Sequence, residues 1–186
     1  MKVSIPESQK DITLEQYQSY EAGKEKASKH IVNFTICSFT EITEKEVDYM
    51  SQSDKEYLFA AINESLNKID ELAHIITIEG VDFGIIPNLD KDNVTGAEFT
   101  DMIQYDSSVK DLHRLMAILY RPVKNKDGFG NYEIEPYRNT SDHCDTMKKM
   151  SLSDVNGVLG FFLTLQKELD KFILVHSAAV QAKEGK

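Results

Sequence analysis

Apolar residues recur at helical spacing at Leu58, Ile62, Leu66 and Ile69, with Asn63, Glu64, Asn67 and Lys68 between them. That period predicts an amphipathic helix with one buried face. Hydroxyl residues mark where helices begin. In Thr43-x-x-Glu46, Ser53-x-x-Glu56 and Thr95-x-x-Glu98 the hydroxyl can accept from the third amide while the glutamate reaches back to the first. These boxes predict a short helix ending near Met50, the start of the amphipathic helix, and a helix running to about Tyr105. Asp11 or Thr13 opens an earlier helix, with Leu14, Tyr17 and Tyr20 on one stripe. Lys24, Lys26 and Lys29 then mark a solvated face or loop. His30 to Phe39 is dense enough in apolar residues to be a second, buried helix, although its β-branched content also suits a strand. From Ser108 to Leu119 the chain is apolar around most of a helix's girth, which places that helix inside, with Pro122 as its terminator. A short helix over Asn139–Met150 follows, and Ser151 or Ser153 caps a last helix reaching Val175.

Two stretches break this period. Ile75–Ile78 and Val81–Ile86 flank Glu79-Gly80, a tight hairpin turn, and Pro87 closes the second strand. Val123–Tyr137 has the form of a second hairpin around Asp127–Asn131. Lys2–Ile5 alternates weakly before Pro6, as a short edge strand would. The fold class expected is α+β, predominantly helical, with two β-hairpins forming a small antiparallel sheet. One domain is expected over 1–186, made of an N-terminal strand and helices (1–72), a hairpin–helix–hairpin unit (73–137) and C-terminal helices (138–186).

A chain of 186 residues hides about 70% of its unfolded surface on folding, so its core needs neither disulfide nor metal. The net charge of −10, with arginine only at positions 114, 121 and 138, argues against nucleic acid, which needs clustered cations to displace counterions. Cys37 and Cys144 are the two cysteines, as suits a reducing compartment. The first residues lack the apolar core of a secretion signal, and no apolar run is long enough to span a membrane.

Candidate chemistry is sparse. Asp90-x-Asp92 with Glu98 suggests a calcium loop, but Thr95 stands where such a loop needs glycine. Asp142-His143-Cys144-Asp145 crowds potential ligands on adjacent residues, which point apart on a helix. Gly128-Phe129-Gly130 lies between strands, where a phosphate cradle would need a following helix. No cofactor and no enzymatic activity are expected. Tyr120-Arg121-Pro122 reads as the exit from the core to the surface, with Arg121 stacked on an aromatic, in a bidentate pair, or, as is more common, at a solvated helix end. The last helix is different. Phe161, Phe162, Leu165, Leu169, Phe172 and Ile173 cover more than half its circumference, beyond the stripe of about 100° that one domain face absorbs. Either the helix is fully buried or these six residues form a partner interface, the candidate site of this chain.

The order of several short segments carries a resemblance. They are Ile5-Pro6, Asp11–Tyr17, Gly80–Leu89, Met116–Pro122, Tyr132-x-Ile134-Glu135-x-Tyr137, and Phe161-Phe162 with Leu165 and Glu168-Leu169. In this order the chain resembles tailed-bacteriophage proteins described as tail assembly chaperones. The resemblance implies a non-enzymatic morphogenesis protein, acting in the cytoplasm of the infected host. Such chaperones hold the tape-measure protein in solution until the tail tube polymerises on it. The partners implied are other phage structural or assembly proteins, or further copies of the chain, with no nucleic acid and no membrane. The alternative is a structural component of the virion, such as a connector, tail or capsid-associated subunit.

Overall fold

The computed structural model describes residues 4–67, 71–87, 94–105, 108–139 and 141–162. Helices α1 (Leu14–Lys24), α2 (Ile31–Phe39), α3 (Glu44–Asp48) and α4 (Gln52–Leu66) come first, followed by strands β1 (Ile75–Ile78) and β2 (Val81–Ile85). Helices α5 (Gly96–Tyr105) and α6 (Leu112–Leu119) separate these from β3 (Tyr120–Lys126) and β4 (Tyr132–Ile134). Helix α7 (Cys144–Met147) and a last helix over 152–162 complete the described residues. The sheet is antiparallel in the order β1-β2-β3-β4, so the expected α+β, mostly helical fold is the one observed.

The two hairpins join directly, Phe83 facing Pro122 and Ile85 facing Tyr120. Local chemistry fixes the first: Glu79 (φ 51°) and Gly80 (φ 82°) both adopt the positive φ of a type I′ turn, whose twist matches paired strands. Near the N-terminus, Ser4–Pro6 is irregular, and the rest of the expected edge strand lies outside the described residues. The N-terminal pairing that does form is Thr13 with Ser151, flanked by Leu14 N–H to Met150 O (2.9 Å) and Leu152 N–H to Ile12 O (2.8 Å). It fastens the start of α1 to the start of the last helix.

Two expected boundaries move, and a third holds in an unexpected setting. Helix α4 is capped by Ser51, whose extended backbone lets its Oγ accept from Asp54 N–H at 3.1 Å, two residues before the expected box. Helix α6 ends at Leu119, as expected, and the chain passes without a loop into β3, which contains Pro122. Its carbonyl accepts from Glu135 N–H (3.0 Å), so the donor it lacks would have faced Glu135, just past the end of β4. The helix expected over Asn139–Met150 shrinks to α7, because Asn139 Oδ1 turns the chain by accepting from the amides of Ser141 and Asp142, and His143 is left-handed at φ 61°.

Two apolar clusters form. One lies between the sheet and α6 and includes Phe83, Ile85, Leu115, Met116, Leu119 and Tyr120. The other sits among α1–α4 and includes Ile36, Phe39, Val47, Leu58 and Ile62. The α1 stripe divides between them, Leu14 joining the first while Tyr17 and Tyr20 pack on the second. The last helix spans both, with Leu152 in the second cluster and Val155 and Val158 in the first. Buried Gln9 adds a polar tie: its Nε2 donates to Leu66 O (2.8 Å) and its Oε1 accepts from Asn156 Nδ2 (2.8 Å). Ile69 lies outside the described residues.

Candidate functional site

Helix α5 is set by the Thr95–Glu98 box: Thr95 N–H donates to Glu98 Oε2 (2.6 Å) and Glu98 N–H donates to Thr95 Oγ1 (3.3 Å). The box fixes which way the helix faces. Glu98 points in, at 1% exposure, and Met102 and Tyr105 pack on the first cluster. Phe99 and Ile103, one turn apart, are left 59% and 58% exposed. These two form an apolar ridge on the outer face of α5.

The other oxygen of Glu98 anchors the helix to the sheet. Glu98 Oε1 lies 2.6 Å from Arg121 Nη1, and Arg121 is only 8% exposed. Arg121 is therefore not a solvated helix end. With β3 starting at Tyr120 there is no loop to carry it out, and it sits opposite Gly84 in a central strand. Its Nε is buried and has no hydrogen-bond acceptor among the described residues. Nearby, the Tyr137 hydroxyl donates to Asp101 Oδ2 on α5, and burial together with this bond pushes the phenol above its ordinary range. A small cleft opens here, lined by Arg121, Glu135, Tyr137, Arg138, Asp142 and His143 among others. It holds about 250 Å³ of empty space with its solvent-open mouth included.

At the tip of the second hairpin Phe129 is 95% exposed. Asp127 holds the turn under it, Oδ1 accepting from the amides of Phe129 and Asn131 (both 2.9 Å) and Oδ2 from Asn131 Nδ2 (2.7 Å). The Asn131 side chain, then these amides, hold the Asp127 carboxyl below its ordinary value. A depressed carboxyl stabilises the fold above the unfolded-chain value and loses that contribution as pH falls through the folded one. Acidification is therefore expected to shift the Phe129 and Asn131 amide resonances together, with a midpoint below that of a free aspartate. A midpoint at or above the free value would mean the carboxylate does not hold the turn.

Of the six residues expected to form the interface, two are placed. Phe161 and Phe162 are half-buried and meet edge to face, with centroids 5.7 Å apart and planes at 71°. Phe162 also packs on the first cluster, so part of its surface belongs to the core. Leu165, Leu169, Phe172 and Ile173 lie outside the described residues, as does the loop bearing Asp90 and Asp92.

The chain matches no family model, no curated protein and no solved structure.

Among the described residues, no three His, Cys, Asp or Glu side chains come together to hold a metal ion. The His143 ring instead packs edge-on against Phe83, with centroids 5.7 Å apart. No described helix is long and apolar enough to cross a membrane. The ridge on α5 has a sequence signal, since Phe99 and Ile103 are four apart in a helix whose cap is legible. The Glu98–Arg121 pair has none, because its members are 23 positions apart in sequence (121 − 98) and meet only when α5 docks on β3.

Proposed function

We propose that this chain is a non-enzymatic bacteriophage morphogenesis protein that acts through protein–protein contacts, most like a tail assembly chaperone. The observation that carries the reading is the exposed ridge of Phe99 and Ile103, held outward by a helix whose inner face is fixed by a buried ion pair. Apolar side chains presented together on a rigid element are the kind of surface that takes up another chain's apolar segment. The net charge of −10 then helps keep the complex in solution. The resemblance read from the order of segments makes the tape-measure protein the first client to test, in the cytoplasm of the infected cell.

Phe129 favours the second reading, a structural virion component. A fully exposed aromatic on a pre-organised turn loses little freedom on docking, which suits a permanent contact with a neighbouring subunit.

Co-expression with the tape-measure protein of the same phage tests the first reading. The wild-type chain is expected to raise the soluble fraction of that client severalfold. Phe99→Asp/Ile103→Asp should abolish the rise while the chain still folds, the loss of their part-buried apolar area costing about 1–2 kcal/mol. A soluble fraction that does not depend on these two residues would remove the ridge from the account.

A further inference from the structure

We propose that Gln18 and His113 form an acid-sensitive latch, which holds α1 against the turn entering α6 while His113 is neutral and releases it when the ring takes up a second proton. The proposal goes beyond the protein-contact reading and does not depend on it. Gln18, on α1, donates from Nε2 to two successive carbonyls of the 3₁₀ turn Val109–Asp111, Val109 O at 2.7 Å and Lys110 O at 2.8 Å. The same Nε2 lies 3.1 Å from His113 Nδ1. Turning the carboxamide over would aim its Oε1 at both carbonyls, so the carbonyls fix its orientation. With an NH₂ group facing it, Nδ1 is the unprotonated nitrogen, and the neutral ring carries its proton on Nε2.

Protonation sets these contacts against one another. An Nδ1–H would meet the Gln18 amide donor to donor. The carboxamide can accept from the ring only by turning over, which gives up both hydrogen bonds from α1 to the turn. The surroundings do not offset this cost. Asp111 pairs with Arg114 at 3.5 Å and Asp145 on α7 pairs with Lys148 at 2.7 Å, so each nearby carboxylate already has its own cation. Lys110 is exposed, and on α1 Glu15 acts on Lys148 while Glu21 pairs with Lys24 at 2.6 Å. His113 is also the second residue of α6, where the helix dipole disfavours a cation. Burial first, then Lys148 and Arg114, hold the ring below its ordinary pKa, with Asp111 and Asp145 opposing. A histidine depressed in this way stabilises the fold above its unfolded-chain value, and that contribution is lost as pH falls through the folded one. The latch is therefore closed at neutral pH and opens below the ordinary histidine range.

NMR on the full chain, labelled with ¹³C and ¹⁵N and titrated from about pH 8 to pH 5, tests this across the histidine range. At neutral pH His113 is expected as the Nε2–H tautomer. On acidification the Val109 and Lys110 carbonyl carbons and the Gln18 carboxamide should shift with the same midpoint as the His113 ring, below that of a free histidine. Gln18→Ala removes the opposing donor, so the ring midpoint should rise by about half a pH unit, the scale of one hydrogen bond, and the two carbonyls should no longer follow it. The wild-type titration decides by itself if the variant does not fold. An Nδ1–H tautomer at neutral pH, or a ring that titrates without moving the carbonyls and the carboxamide, would overturn the proposal and leave His113 an ordinary half-buried histidine.

Discussion

Glu98→Ala is expected to destabilise the fold by about 3–5 kcal/mol, the usual penalty for removing one member of a buried ion pair. Two losses combine. Arg121 keeps its charge at 8% exposure with neither Nη1 nor Nε satisfied, and the Thr95 amide loses the acceptor that caps α5. Glu98→Gln should fall between Ala and wild type, because a carboxamide oxygen still caps Thr95 but does not neutralise Arg121. The decisive variant is Glu98→Ala/Arg121→Met. Replacing both charges with apolar groups leaves no orphaned cation, so the double variant should be more stable than Glu98→Ala alone. Urea unfolding of the set reads this out. If Glu98→Ala lost under about 1 kcal/mol, as exposed pairs do, the pair would be solvated and the ridge on α5 would lack its anchor.

Gly157→Ala tests how the last helix seats. In an exposed helix this change stabilises by about 1 kcal/mol, since alanine is the better helix former. Here the added Cβ would lie 2.5 Å from Glu71 O, 3.0 Å from its carbonyl carbon and 3.3 Å from Leu72 Cα. These are backbone atoms and cannot rotate aside. The helix must move, and Val155 and Val158, both at 0% exposure, move with it. The expected result is therefore a net destabilisation of about 1–3 kcal/mol, the range for overpacked cores. Overpacking outweighs propensity, so the sign is the test. A stabilised Gly157→Ala would show that the helix does not rest on this segment.

Both predictions depend on long-range contacts, which is also where the sequence was least informative. The Thr43–Glu46 and Thr95–Glu98 boxes and the Glu79-Gly80 turn were legible because each is complete within four residues. The α4 cap was ambiguous locally. Ser51-x-x-Asp54 and Ser53-x-x-Glu56 offer the same chemistry two residues apart, and the extended backbone at Ser51 decides between them. Pro122 reads locally as a helix stop, which it is for α6, and its place inside β3 is not legible because it depends on the missing donor facing Glu135, just past the end of β4. Gln9 joins Leu66 to Asn156, and no local pattern announces a polar residue chosen for two distant partners. For the candidate site, the apolar excess at Phe161 and Phe162 was visible as periodicity, whereas the division of Phe162 between core and surface depends on how the helix docks.

The central claim, a chaperone that acts in assembly and then leaves, is tested most directly by peptide mass spectrometry on gradient-purified virions with infected-cell lysate alongside. The account predicts abundant peptides of this chain in the lysate and none in the particle. Abundant peptides in the particle would contradict it in favour of a structural subunit, and absence from both would contradict the phage assignment itself.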